Sequence, residues 1–145
     1  MKKTNNNGFS LVELIIVIAI MAVLVGVLAP QFIKYVESSR QSTDIDAVAE
    51  YKTAVESWVA DEGTKSGVTI PAEITVTVAS GTVYASVDLS DLGLAKDSST
   101  GATELKSDGW SDGAVGKYST TDYKWTSTSN ENSNNPKKNL ADAFK

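Results

Sequence analysis

Residues 9–29 read FSLVELIIVIAIMAVLVGVLA, a run in which only Ser10 and Glu13 are polar. As a helix rising about 1.5 Å per residue, the run spans roughly 31 Å, enough to cross the hydrocarbon of a bilayer. Before it stands MKKTNNNG, short and polar, with Lys2 and Lys3 its basic residues. Lysines on that side predict a cytoplasmic N-terminus and an exported C-terminal part.

Three readings compete for this segment. A secretory signal peptide would use Val27 and Ala29 as the small residues before a cut. Pro30 would then supply the scissile nitrogen, and its tertiary amide is a poor substrate; the apolar run also exceeds a usual signal core. A plain membrane anchor explains length and hydrophobicity but not Glu13, since a mid-bilayer carboxylate costs about 2.5–3.5 kcal/mol on insertion scales. Lying near the cytoplasmic end, Glu13 costs less, yet an anchor gains nothing from it. The third reading is a cut between Gly8 and Phe9, which gives Phe9 a free α-amine, cationic near neutral pH. The amine of a neighbouring subunit could then pair with Glu13 in a dry bundle. Removing one partner of such a pair would cost roughly 3–5 kcal/mol, and the pair would set the axial register between subunits.

Gly8-Phe9-Ser10-Leu11-Val12-Glu13, with the basic leader, the apolar helix and the proline at its far end, resembles the class III signal of type IV prepilins. The resemblance covers residues 1 to about 36. It implies that a membrane-embedded prepilin peptidase cuts after Gly8 and N-methylates Phe9, and that Phe9 and Glu13 guide assembly. It also implies a homo-oligomeric helical filament, an assembly platform and an ATPase that drive it, and no cofactor. The precursor would lie in the inner or cytoplasmic membrane and the filament on the cell surface. Adhesion, twitching motility and DNA uptake are the functions of the family. With no Cys to close its C-terminal loop, the chain looks like the cysteine-free major pilins of Gram-positive bacteria. The alternatives are a pseudopilin of a type II secretion or competence system and a membrane-anchored glycan-binding module.

Gly26 and Pro30 weaken the same helical turn. Pro30 cannot donate to the carbonyl of Gly26, and glycine is itself about 1 kcal/mol worse than alanine in a helix. A kinked anchor is one reading; a turn that melts when subunits pack is the other, and similar sites in pilins are thought to behave that way.

Beyond Pro30, Ile33, Val36, Ala47, Val48, Tyr51, Ala54, Val55, Trp58 and Val59 recur at helical spacing. The helix is therefore expected from about Phe9 to Glu62, with an interruption possible near Pro30 and Gly63 as its C-cap. Glu37, Arg40, Asp44, Glu50, Lys52, Glu56 and Asp61 are expected mainly off its apolar face. Strict alternation at Ile74–Val78 and Val83–Val87 about Ser80-Gly81 predicts a hairpin. Asp108 to Gly116 is read as loop, Tyr118–Thr126 as a third strand, and Ser127–Asn139 as an exposed loop or disordered tail. The fold class is α+β, one long helix on a small antiparallel sheet, in agreement with the pilin fold. The expected division is a leader at 1–8, a transmembrane and filament-core helix at 9–33, and an exported globular domain at 34–145 whose amphipathic helix runs to about 62.

The formal net charge is -5, and no cluster of Lys and Arg suggests nucleic acid. The absence of His and Cys removes the commonest general base and the thiolate metal ligands, which argues against an enzyme. Asp108, Asp112 and Asp122 are weak candidates for a hard cation. Their spacing is not that of an EF-hand, a solvated turn is the simpler reading, and only the calcium sites in comparable loops of pseudopilins suggest more. Trp110, Tyr118, Tyr123 and Trp125 could form a surface for a glycan or other surface ligand, although such residues at strand spacing are more often core.

Overall fold

Ser10 followed three residues later by Glu13, ahead of an apolar run, is a helix-start signature. In the computed structural model α1 runs over Leu11–Glu62, straight through Pro30, so no interruption separates its two halves. The structure describes residues 9–62, 65–94, 102–110, 114–128 and 131–145, which leaves Gly63 outside. The chain divides into two compact units, Met1–Val36 and Glu37–Lys145. In the first, the described apolar side chains are exposed from Phe9 to Tyr35.

In the second unit, α1 buries Val48, Tyr51, Ala54, Val55 and Val59. The strands are β1 (Glu73–Ala79), β2 (Thr82–Ala85), β3 (Thr103–Glu104), β4 (Ala114–Ser119) and β5 (Lys124–Ser127), in an antiparallel sheet of order β3-β2-β1-β4-β5. Ser80 and Gly81 both have positive φ, 52° and 72°. Such a two-residue turn matches the twist of a hairpin and explains the short β1–β2 connection. Strand alternation sends Ile74, Val76 and Val78 of β1 to the core. Gly116 pairs with Val76, and Tyr118 with both Ile74 and Trp125, so these share the core face.

Three expectations need correction. The third strand is two: β4 begins at Ala114, inside the segment read as loop, and turns at 120–123 into β5. Tyr118, Tyr123 and Trp125 suggested one strand because the turn between them lacks glycine and proline. The tail is largely exposed where it is described, as expected, but it is ordered strand rather than loop or disorder. It forms a second hairpin, β6 (Glu131–Asn132) with β7 (Asn135–Asn139), then a 3₁₀ turn, Leu140–Phe144. Leu140 is fully buried, and Phe144 lies 4.9 Å from Trp125 between ring centroids. Composition hid this, because two apolar residues at the end of the chain anchor a segment that is otherwise Asn- and Ser-rich. Finally, Asp44 is not off the buried face: it is 1% exposed.

Candidate functional site

Two places carry the chain's unusual chemistry: the N-terminal helix start and the polar cluster around Asp44. At the first, the Ser10 N–H donates to Glu13 Oε2 at 2.9 Å, and the Leu14 N–H donates to the Ser10 carbonyl at 3.2 Å. Glu13 is thus the third residue of the helix and satisfies one of its orphan amides, the reciprocal half of a capping box. Its charge also lies at the positive end of the helix dipole. The carboxylate therefore has a partner within its own chain, which the sequence reading did not find although Ser-x-x-Glu signals it. Phe9 is exposed, and so are the apolar residues beyond it through Tyr35. Gly8 lies outside the described residues. The helix is long and apolar enough to cross a membrane. Around Gly26 there is open space, and an added Cβ would meet nothing within 4 Å.

At the second place, Asp44 accepts three hydrogen bonds: Lys106 N–H to Oδ1 at 2.7 Å, Ser107 N–H to Oδ2 at 2.9 Å and Trp110 Nε1–H to Oδ2 at 2.8 Å. Ser107 Oγ donates to Glu37 and accepts from Asn132 Nδ2 at 2.9 Å. Asn132 is fully buried and its Oδ1 accepts from the Asn134 N–H at 2.9 Å. Gly109 is required beside it, because a Cβ there would lie 2.0 Å from Asn132 Oδ1. The cluster ties the middle of α1 to the loop after β3 and to the β6–β7 hairpin.

The metal and glycan candidates come out differently. Asp108 is exposed in a turn, and Asp122 lies in the β4–β5 turn, where its amide donates to Ser119 Oγ at 3.2 Å. Asp112 is outside the described residues, among which no group of three potential ligands forms. The four aromatics form no common platform. Trp110 is engaged with Asp44, while Tyr118 packs on Trp125 at 5.0 Å and Trp125 on Phe144. Tyr123 alone of the four is largely exposed, at 71%. Burial raises the Tyr118 phenol above its ordinary range, with the charges of Glu56 and Tyr123 adding to the effect.

A family model described as the prokaryotic N-terminal methylation motif matches residues 3–29, which include Gly8, Phe9 and Glu13. Prepilin peptidase-dependent protein A of Clostridium perfringens is 34% identical over 95 residues, covering 66% of each chain. That length exceeds the 62 residues up to the end of α1, so the likeness reaches past the helix. The type IV major fimbrial protein FimA of Dichelobacter nodosus is 36% identical over 59 residues, 41% of this chain and 38% of the relative. The chain thus spans just under two thirds of the first relative and under half of the second. No solved structure matches the chain significantly.

Proposed function

We propose that this chain, which belongs by its N-terminal segment to the type IV pilin family, is the structural subunit of a type IV pilus. On this reading residues 1–8 are a leader, removed by a prepilin peptidase between Gly8 and Phe9, and the new Phe9 amine is methylated. Residues 9–33 hold the precursor in the membrane and afterwards form the filament core, while residues 34–145 are exported. A relative named as dependent on prepilin peptidase and another named as a major fimbrial protein support processing and a fibre-forming role. An assembly platform and its ATPase would insert the subunit, and adhesion, motility or DNA uptake would be the filament's work.

One observation carries the reading: the apolar side chains from Phe9 to Tyr35 are exposed in the single chain. Each large apolar side chain gains roughly 1.5–3 kcal/mol on leaving water, so this helix needs lipid first and neighbouring subunits later. Within residues 9–33 Glu13 is the one charged residue, and pairing with a neighbour's Phe9 ammonium would fix the register.

Because Glu13 also caps its own helix, alanine is a poor test: it removes cap and charge together. Glu13→Gln separates them, since a glutamine oxygen still accepts from the Ser10 N–H. The expected result is a subunit that inserts and is processed to a methylated Phe9, seen by mass spectrometry, but gives few or no filaments by electron microscopy. Wild-type filament yield from Glu13→Gln, or filaments whose subunits begin at Met1, would overturn the proposal.

A further inference from the structure

Away from the N-terminal helix, a cleft of about 430 Å³ opens between α1 and the β4–β5 turn, lined by Glu56, Val59, Ala60, Ile70, Tyr118, Thr120 and Tyr123. Its chemistry is uneven. Val59, Ala60 and Ile70 supply an apolar wall, and Glu56 supplies a carboxylate. Trp125 Nε1–H donates to Glu56 Oε1 at 2.8 Å and fixes that side chain from one side. Among the described residues this indole is the carboxylate's hydrogen-bond donor, which leaves Oε2 for an incoming group. Tyr123 has a positive φ of 54°. A bulky residue in that region is strained, and here the strained residue sets an exposed ring at the cleft.

We propose that this cleft receives the side chain of a lysine on a partner protein, its ammonium on Glu56 Oε2 against the Tyr123 ring and its alkyl stem along Val59, Ala60 and Ile70. A carboxylate and an exposed tyrosine ring lining one cleft suit a cation, and the chain's net charge of -5 attracts one. The Tyr118 phenol is raised first by burial and only then by the charge of Glu56, so the carboxylate's field reaches this side of the cleft. A sugar fits less well, because it needs several convergent donors and acceptors. The Thr120 hydroxyl already donates to the Pro71 and Ala72 carbonyls, at 2.8 and 3.1 Å, and Tyr118 is stacked on Trp125.

The Trp125 indole gives a direct readout, since its N–H sits on Glu56. Full-length protein labelled at its tryptophans, in detergent micelles, is titrated with three probes: Nα-acetyl-lysinamide, the same compound acetylated on its side-chain nitrogen, and maltose. Saturable movement of the Trp125 indole resonance with the cationic probe alone, weakened by salt, is the expected result. Glu56→Gln weakens that binding about two- to fivefold, the loss of one solvent-exposed ion pair, and Tyr123→Ala about two- to fivefold. Unmoved Trp58 and Trp110 resonances in both variants show that the fold is intact. Equal response to the acetylated probe, response to maltose only, or no response at all would each overturn the proposal.

Discussion

Replacing Asp44 by asparagine changes one oxygen into an amide and nothing else in shape. Oδ2 accepts two donors, Ser107 N–H and Trp110 Nε1–H, so the remaining oxygen is best kept on that side. The new NH₂ then faces the Lys106 N–H, whose 2.7 Å bond is lost and replaced by donor against donor. An unsatisfied buried donor costs about 1–3 kcal/mol, and a hydrogen bond to a charged acceptor contributes roughly 1.5–3 kcal/mol, more than one to a neutral oxygen. Against this, a charge no longer has to be held out of water, which offsets part of the loss. The net expectation is a destabilisation of about 2–4 kcal/mol, a fall of roughly 9–17 °C in Tm for a unit the size of residues 37–145. Thermal unfolding of the full chain in detergent, followed by the near-ultraviolet circular dichroism of its tryptophans, measures this. Asp46→Asn, two residues away and exposed, is the control and should change stability by less than about 0.5 kcal/mol. If Asp44→Asn melted with the control and left the Trp110 indole resonance in place, Asp44 would not anchor this region.

Three further outcomes follow from the same geometry. Tyr118 has a raised pKa in the folded chain, so the folded state holds that proton where the unfolded chain releases it. The stability it contributes is complete below the unfolded value of about 10 and is lost as pH rises through the folded one. In a phenolate absorbance titration, Tyr118→Phe should therefore remove a component that ionises above the ordinary tyrosine range; loss of a component within or below that range would contradict the assignment. Gly109→Ala should destabilise by about 1–3 kcal/mol through overpacking. Adding Asn132→Ala should restore part of that loss, because the added Cβ meets Asn132 Oδ1 at 2.0 Å; strictly additive unfolding free energies would argue against that contact. Gly26→Ala has open space around it and should strengthen the turn before Pro30 by up to about 1 kcal/mol. Slower amide exchange there, with filaments that extend less under load, is the expected pair of observations, and unchanged exchange would remove the turn from any account of stretching.

The elements legible in the sequence were those whose signal is periodic and local. The apolar run at 9–29 and the stripe of Val48, Tyr51, Val55 and Val59 read directly as one helix, and Ile74–Val78 with Ser80-Gly81 as one hairpin, because burial repeats at the period of the element. What escaped depends on partners distant in sequence. Asp44 reads as a solvated helix acid until Lys106, Ser107 and Trp110 are brought to it, 62 to 66 residues along the chain. Asn132 belongs to an Asn- and Ser-rich stretch, and nothing local distinguishes it from its exposed neighbours. The glycine at position 109 was the available clue, since it marks a close approach of another group. The cap on Glu13 was missed for a different reason. An acid inside an apolar run signals membrane cost and assembly, and that signal masks the local Ser-x-x-Glu helix-start pattern of Ser10 and Glu13.

The tail of this chain is closed without a covalent bond, and the means are distributed over two kinds of contact. At one end of the β6–β7 hairpin, Asn132 and Ser107 connect to Asp44 and Glu37 on α1. At the other, Phe144 covers Gly116, where a Cβ would lie 2.2 Å from the ring, and stacks on Trp125. A disulfide closing such a segment typically supplies 2–4 kcal/mol, chiefly by restricting the unfolded chain. The polar cluster and the buried ring each reach about that size in the folded state, so cysteine is not needed to hold the C-terminus. The physical difference lies in where the stabilisation acts. A disulfide persists after local opening, whereas these contacts vanish together once the hairpin lifts. The tail should therefore open cooperatively with the Asp44 cluster, and amide exchange at Ser107, Asn134 and Ala141 should share one opening free energy that Asp44→Asn lowers at all three sites.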